Sequence, residues 1–266
     1  MRFSAVAAIV VCVGLAGGCR GEKVKSASAS PPKLLPQLSQ DGRYEFIGGF
    51  DHPVEIKGWK PSKAETRKVD GFTRVTINSA IEADIQIGSP ASVVIAANPD
   101  YLKRISTSVT RGTLTVQLDG EVATRLVIKA HIVTPTLDGI TVEGASRVTS
   151  TGLKGDLVAN ESGASHLNLR GSLGTMKVQL AGSSHLSALG SARACDLTVD
   201  NASTATLEQL EISAAKADCS GGSTVSFGSL LQVDFVAKDA SSITYTGSPK
   251  VVRSDADSSS SISSPD

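Results

Sequence analysis

The chain has 266 residues, of which 40% are hydrophobic and 20% charged, and its 26 Lys and Arg residues balance 26 Asp and Glu residues. This composition excludes a disordered tail and a strongly basic nucleic-acid-binding protein, and the length suits one large domain or two small ones. No aromatic residue lies between Tyr101 and Phe227, so a core in this interval must consist of small and β-branched side chains.

The first 18 residues have the pattern of a signal peptide. Arg2 precedes a mainly apolar run over residues 3–15, and small residues then lead to Cys19. The run is shorter than the roughly 20 apolar residues that cross a bilayer as a helix. We therefore expect residues 1–18 to be a lipoprotein signal peptide and the protein to be exported.

The segment Leu15-Ala16-Gly17-Gly18-Cys19 resembles the lipobox of bacterial lipoproteins. The resemblance implies cleavage before Cys19, lipidation of Cys19 and attachment to a membrane through this lipid anchor. An ordinary signal peptide with an incidental cysteine is the alternative. Arg20 stands where inner-membrane lipoproteins typically carry Asp, which favours the outer membrane over the inner membrane.

Residues 19–40 are rich in Lys, Ser, Pro and Gln, a composition typical of a flexible tether. Residues 41–139 are expected to form an irregular β cap at the N-terminus and the first coils. Alternating apolar residues predict strands at 71–77, 84–88, 92–97, 112–118 and 126–132.

A repeat of about 19 residues covers residues 140–262. Each repeat has a Gly-Ala-Ser-like signature, followed by an aliphatic residue two positions after the serine. The first position of the signature and a glycine six positions after the serine predict corners. The central serines are Ser146, Ser165, Ser184, Ser203, Ser223, Ser241 and Ser260. The aliphatic column, expected to point inward, is Val148, Leu167, Leu186, Ala205, Val225, Ile243 and Ile262.

The coils have nearly constant length, so equivalent positions of successive coils can stack on one another. This pattern predicts an all-β protein, a right-handed parallel β-helix. Residues 140–262 would be its repeats and residues 263–266 a polar tail. An antiparallel β-sandwich is the competing architecture.

The repeats contain two candidate chemical sites. His166 and His185 occupy the same outward column and are candidates for a shared metal ion, but a two-histidine site lacks the third and fourth ligands of a zinc site. An exposed polar ladder explains them as well, and we predict no metal and no cofactor. The second site is a set of carboxylates that could gather on neighbouring coils or form a solvated face: Asp196, Asp200, Glu208, Glu211 and Asp218.

No catalytic residues are predicted. The chain contains no Gly-x-Ser-x-Gly elbow, His-Glu-x-x-His motif or phosphate-binding loop. We expect the serine hydroxyls to bond to backbone groups at the corners.

Cys195 and Cys219 would be the remaining cysteines of the mature chain after Cys19. An oxidising compartment favours a disulfide. However, the repeat places the two cysteines on adjacent coils with an offset of four residues, which is about 13 Å along an extended strand. A disulfide requires Cα atoms within about 7 Å. We therefore predict two buried free thiols, unless a corner lies between the two columns.

The segment Asp70-Gly71-Phe72-Thr73-Arg74-Val75, residues 91–118 and the serial Gly-Ala-Ser coils resemble the bacterial DUF2807 family, also called the putative auto-transporter adhesin head or GIN domain. The resemblance implies a secreted or lipid-anchored β-helical protein of undefined biochemical role, and it transfers no catalytic residue.

The leading hypothesis is a non-catalytic, lipid-anchored protein of the cell envelope. Its β-helix would present a face of Ser, Thr, Ala and Asn to a glycan or an envelope protein, and nucleic acid is not an expected partner. One alternative is a carbohydrate-active enzyme on the same fold. The other is a structural or stress-related envelope protein.

Overall fold

The computed structural model describes residues 63–120 and 128–264. The predicted signal peptide, Cys19 and the predicted tether lie outside these residues. The elements in chain order are β1 (Lys63–Arg67), β2 (Arg74–Ile77), β3 (Ile81–Ile87), β4 (Ser92–Ala97), α1 (Pro99–Leu102), β5 (Ile105–Thr110), β6 (Thr113–Leu118), β7 (Ile128–Thr134), β8 (Gly139–Val142), β9 (Arg147–Glu161), β10 (His166–Leu180), β11 (His185–Val199), β12 (Thr204–Leu207), β13 (Leu210–Cys219), β14 (Thr224–Ala237), β15 (Ser242–Thr246), β16 (Lys250–Ala256) and β17 (Ser261–Ser263).

The strands from β8 onward stack in parallel, each coil on the one before it. β9, β10 and β11 pair along nearly their full lengths, and their register places Leu167 opposite Val148 on one side and Leu186 on the other. β11 pairs with β12 and β13 on the next coil, and both of these pair with β14. β14 in turn pairs with β15 and β16. The predicted parallel β-solenoid with coils of about 19 residues is confirmed.

The N-terminal part is a mixture of parallel and antiparallel pairing. β2 and β3 join the parallel stack through β8 and β9. In contrast, β1 pairs antiparallel with β4, β4 with β7, and β5 with β6. The structure has strands at the predicted places where it describes them, and adds β1, β5 and the short helix α1, which were not predicted. No helix in the described ranges is long and apolar enough to span a membrane.

The solenoid core consists of the inward columns that the repeat predicts. Of the predicted aliphatic column, every residue from Val148 to Ile243 is fully buried, and Ile262 on the last coil is half-buried. The pairs four and six positions before each serine from Ser146 to Ser241, such as Ile140 and Val142, are also buried, whereas Ser254 and Ala256 on the last coil are exposed. Two aromatic side chains, Phe227 and Phe235, stack near the C-terminal end with ring centroids 5.1 Å apart.

The corner between consecutive coils is built as the signature predicts. Six of the seven predicted corner positions have positive φ, from 55° at Asp239 to 79° at Gly163. The serine that follows is buried and bonds to the backbone: the Ser203 hydroxyl donates to the carbonyl oxygen of Asp200 over 2.7 Å. The same hydroxyl oxygen accepts a hydrogen bond from the Ser184 N–H on the preceding coil, so each serine can join two coils.

The second glycine column agrees with the prediction in part: Gly152, Gly190 and Gly247 have positive φ, and β15 ends just before Gly247. β9, β10 and β11 run through Gly152, Gly171 and Gly190 without ending, so these glycines mark bends within continuous strands. Gly171 does not have positive φ. Glycine is required there because a Cβ atom would collide with the carbonyl oxygen of Leu153 on the neighbouring coil.

Candidate binding groove

The two predicted histidines lie opposite each other on adjacent coils, with ring centroids 5.7 Å apart and planes tilted by 39°. Partial burial, followed by the nearby charges of Arg147 and His185, lowers the pKa of His166. In the part of the chain that the structure describes, no group of three or more His, Cys, Asp or Glu side chains could hold a metal ion. The geometry is that of a polar ladder on the outer surface.

The five predicted carboxylates are spread over the outer surface. Asp218 forms ion pairs with Lys216 at 3.8 Å and with Arg253 at 3.7 Å. Asp200 accepts a hydrogen bond from the Ser220 hydroxyl, and Asp196 stands in register between Lys177 and Lys216. Glu208 and Glu211 are exposed around the turn between β12 and β13. Two of the five, Asp200 and Asp218, thus make contacts between coils, while Asp196 has a lysine in register on each neighbouring strand without forming an ion pair with it.

A groove on the side of the solenoid was not predicted. It is open to solvent, has a volume of about 780 Å³ and crosses β2, β8, β9 and β10. We call it the lateral groove. Among the residues that line it are Arg74, Asp138, Thr141, Asp156, Val158 and Lys177.

The lateral groove is an interruption in a ladder of charged side chains. The register aligns Arg74, Gly139, Val158 and Lys177 in one outward column on four consecutive strands. Toward the C-terminus the same column continues with side chains of alternating charge: Asp196, Lys216, Asp234 and Arg253. Gly139 has no side chain and lies buried under the stem of Arg74, and Val158 has a short, exposed apolar side chain, so the surface is recessed at Val158, between Arg74 and Lys177.

Polar groups form the walls of the lateral groove. Arg74 and Asp138 form an ion pair with 3.1 Å between Nε and Oδ1. Asp156 accepts a hydrogen bond of 2.7 Å from the backbone N–H of Thr175. A second outward column places Thr141 beside Asn160. The groove therefore offers hydroxyl, amide, carboxylate and cationic groups around a small apolar floor.

Lys177 differs from the other charged residues of the groove. Arg74 and Asp138 neutralise each other, and Asp156 is bonded to a backbone N–H. Lys177 is exposed and has no ion-pair partner within the described ranges. An anionic group of a ligand can therefore reach this ammonium group without breaking an existing ion pair.

The side chains that line the groove do not form a nucleophile and its base. None of them is Ser, Cys, His or Tyr, and their hydroxyl groups belong to threonines. A sequence signal for the groove exists: Gly139 and Val158 hold outward positions that are charged on most other coils. This signal can be recognised in the sequence only after the register between the coils is known.

A smaller groove of about 380 Å³ lies over β3, β4, β7 and β9. The exposed pair His131 and Asp84 lines it, with 3.1 Å between Nδ1 and Oδ2. Glu82 and Lys129 form a second pair there at 3.9 Å. Four of the five ionisable side chains that line this groove are therefore paired with one another, and the fifth is Arg147.

The fold defines this chain as a parallel β-solenoid with a repeated Gly-Ala-Ser corner. The family model described as "Putative auto-transporter adhesin, head GIN domain" (DUF2807) matches residues 71–249. The chain therefore belongs to the DUF2807 family, as the resemblance predicts. No curated protein matches the chain significantly.

Solved structures from two bacterial genera share the fold. A putative adhesin from Bacteroides fragilis is 19% identical, with a TM-score of 0.70, and the match covers 78% of this chain and 98% of that chain. A putative lipid binding protein from Parabacteroides distasonis is 15% identical, with a TM-score of 0.61 and coverage of 77% and 97%. A putative adhesin from Parabacteroides merdae is 14% identical, with a TM-score of 0.63 and coverage of 77% and 96%. At these identities the similarity shows a common fold.

Proposed function

We propose that the protein is an exported, lipid-anchored module of the cell envelope that binds a glycan or an envelope protein without catalysing a reaction. The observation that carries this proposal is the lateral groove, in which side chains from several stacked coils converge on one recessed surface. Strands held by neighbours on both sides position such groups rigidly, which reduces the entropy lost on binding. The adhesin description of the family supports the same class of function.

The proposed anchor is Cys19, and the proposed location is the outer membrane. The support comes from the sequence, through the lipobox-like segment before Cys19 and through Arg20 after it. Stable anchoring to a bilayer requires more than one acyl chain, and a triacylated cysteine meets this requirement. The acyl chains on Cys19 would then hold the protein at the membrane, while the solenoid remains available to bind a glycan or an envelope protein.

A carbohydrate-active enzyme is the second candidate, because two carboxylates, Asp138 and Asp156, line the same groove. Glycoside hydrolysis uses such a pair, one as the acid and the other as the base or nucleophile. In this groove the Asp138 carboxylate is bound to the Arg74 guanidinium group and Asp156 to a backbone N–H. Both carboxylates therefore already have a structural partner, which leaves no pair of free carboxylates among the lining residues to act as acid and base. Binding without turnover is therefore the better-supported function.

The experiment is a binding screen of the purified Cys19→Ala protein against envelope glycans and host matrix proteins, with and without calcium. We expect saturable binding to one class of these molecules and unchanged length of any bound glycan. Absence of binding to every class would contradict the proposed function. Shortening of a glycan during incubation would favour the enzyme instead.

A further inference from the structure

We propose that the lateral groove binds an acidic glycan, with a carboxylate of the glycan at Lys177 and a sugar ring over Val158 and the adjoining stem of Arg74. This inference rests on the proposed binding function and specifies its ligand class and site.

The dimensions of the groove suit a short segment of a chain molecule. Arg74 and Lys177 lie on strands that are three steps apart in the stack. At about 4.8 Å per step, the groove extends for about 14 Å along the solenoid. A ligand that occupies this length is an oligomer of a few small units, and neighbouring units can extend beyond both ends because the groove is open.

The floor of the groove suits a sugar ring. Val158 is 47% exposed, which is unusual for a large apolar side chain in the described part of the chain, and the aliphatic stem of Arg74 packs over the buried Gly139 beside it. A pyranose ring has an apolar C–H face and a rim of hydroxyl groups, so it can cover Val158 and still direct its hydroxyl groups outward. The walls provide partners for that rim: the Asn160 amide, the Thr141 hydroxyl and the free lone pairs of the Asp156 carboxylate.

The charge distribution favours an acidic glycan over a neutral one. Lys177 is the cation of the groove without an ion-pair partner in the described part of the chain, whereas Arg74 is bound to Asp138. A carboxylate at Lys177 gains a charge-assisted hydrogen bond without breaking an ion pair, and it must compete there with Asp196, which stands in register beside Lys177 on the next strand. A neutral glycan would leave this ammonium group unused.

The test measures binding of the Cys19→Ala protein to polygalacturonate and to a neutral glucan of similar length, by isothermal titration calorimetry. Two variants change the groove: Val158→Arg fills it, and Lys177→Gln removes its free cation. The matched control is Leu231→Arg, because Leu231 is also an exposed apolar residue on a strand, at 73% exposure, and does not line the groove. Circular dichroism confirms that each variant is folded.

We expect polygalacturonate to bind and the glucan to bind at least about tenfold more weakly. Val158→Arg and Lys177→Gln should each weaken polygalacturonate binding by about tenfold or more, while Leu231→Arg leaves it unchanged. Added salt should weaken the binding, because a charge contact near the surface is screened.

Two results would overturn this inference and leave the proposed function intact. One is binding of polygalacturonate that Val158→Arg does not change, which would place the site elsewhere. The other is a wrong ligand class, seen either as equal binding of the glucan with no effect of Lys177→Gln or as binding of a protein and of neither glycan. Failure to bind any molecule in the broader screen would instead overturn the proposed function itself.

Discussion

Oε1 of Glu161 accepts a hydrogen bond of 3.2 Å from the backbone N–H of His185, which lies 24 residues further along the chain. The contact joins neighbouring coils from inside the solenoid, because Glu161 occupies an inward position between Val142 and Leu180. The same oxygen accepts a hydrogen bond from the Ser165 hydroxyl, while Oε2 is buried without a hydrogen-bond partner. Burial is the main reason that the pKa of Glu161 is raised to about 7, against the opposing effect of these two hydrogen bonds.

We predict that Glu161→Gln removes a pH dependence of stability. In the unfolded chain the Glu161 carboxyl has a pKa of 4.5, below the folded value of about 7. Between these values the unfolded chain loses the proton and the folded chain keeps it, so the free energy of unfolding falls as the pH rises. The loss reaches about 3 kcal/mol above the folded pKa. Urea denaturation at about pH 5 and about pH 8 measures it.

Glu208→Gln is the matched control, since Glu208 is exposed to solvent. The unmodified protein and the control should share one pH profile, and the Glu161→Gln variant should gain stability relative to both as the pH rises. Parallel profiles for all three proteins would show that the Glu161 carboxyl is solvated and that its inward position is wrong.

The inward column can be tested at Leu186. Leu186 is fully buried and stands in register between Leu167 and Ala205, whereas its neighbour His185 points outward. Leu186→Asp puts an unpaired charge into the core and should cost more than about 3 kcal/mol, enough to prevent folding. His185→Asp introduces the same side chain on the outer surface and should leave the free energy of unfolding nearly unchanged. Thermal unfolding followed by circular dichroism compares them, and equal losses would contradict the register.

The repeat made most of the fold predictable, because the column that contains Val148 and Leu186 is visible as a period in the sequence itself. The N-terminal strands β1 and β5 do not share that period, and their antiparallel pairing follows from contacts that the sequence does not display. Glu161 was missed because a carboxylate at an inward position contradicts the usual alternation of apolar and polar residues. The lateral groove was missed for a different reason: it depends on which outward residues of four strands become neighbours.

Close approach of neighbouring corners can be tested at Gly163. Gly163 has φ of 79°, and a Cβ atom there would collide with the carbonyl oxygen of Gly144 on the neighbouring coil. Gly222 has a similar φ of 74° but open space around the Cβ position, which makes Gly222→Ala a matched control. Gly222→Ala should cost about 1 to 2 kcal/mol from backbone strain alone. Gly163→Ala should cost clearly more in urea denaturation, and similar costs would show that the corners are not in close contact.

The proposed anchor predicts a simple change in labelling. In cells fed a labelled fatty acid, the full chain should incorporate the label and fractionate with membranes. Cys19→Ala should abolish incorporation and release the protein, because both acylation sites belong to the cysteine that follows the cleavage point. Ser220→Ala serves as a control for expression of a variant chain. Unchanged labelling of Cys19→Ala would refute the lipoprotein assignment.

Cys195 and Cys219 are both buried and unpaired, as predicted. The register places Cys195 opposite Ala215 and Cys219 opposite Val199, so the two cysteines lie on adjacent coils four positions apart. Burial, with a smaller effect of neighbouring aspartates, raises the pKa of each thiol to about 12.

The thiolate is the reactive form, so both cysteines should resist iodoacetamide in the native protein. After denaturation without reductant, mass spectrometry of the exported Cys19→Ala protein should show two alkylated thiols. A native sample incubated for the same time is the control and should remain largely unmodified. An unlabelled denatured chain that gains two labels only after reduction would reveal a disulfide, and with it a register between β11 and β13 different from the one described.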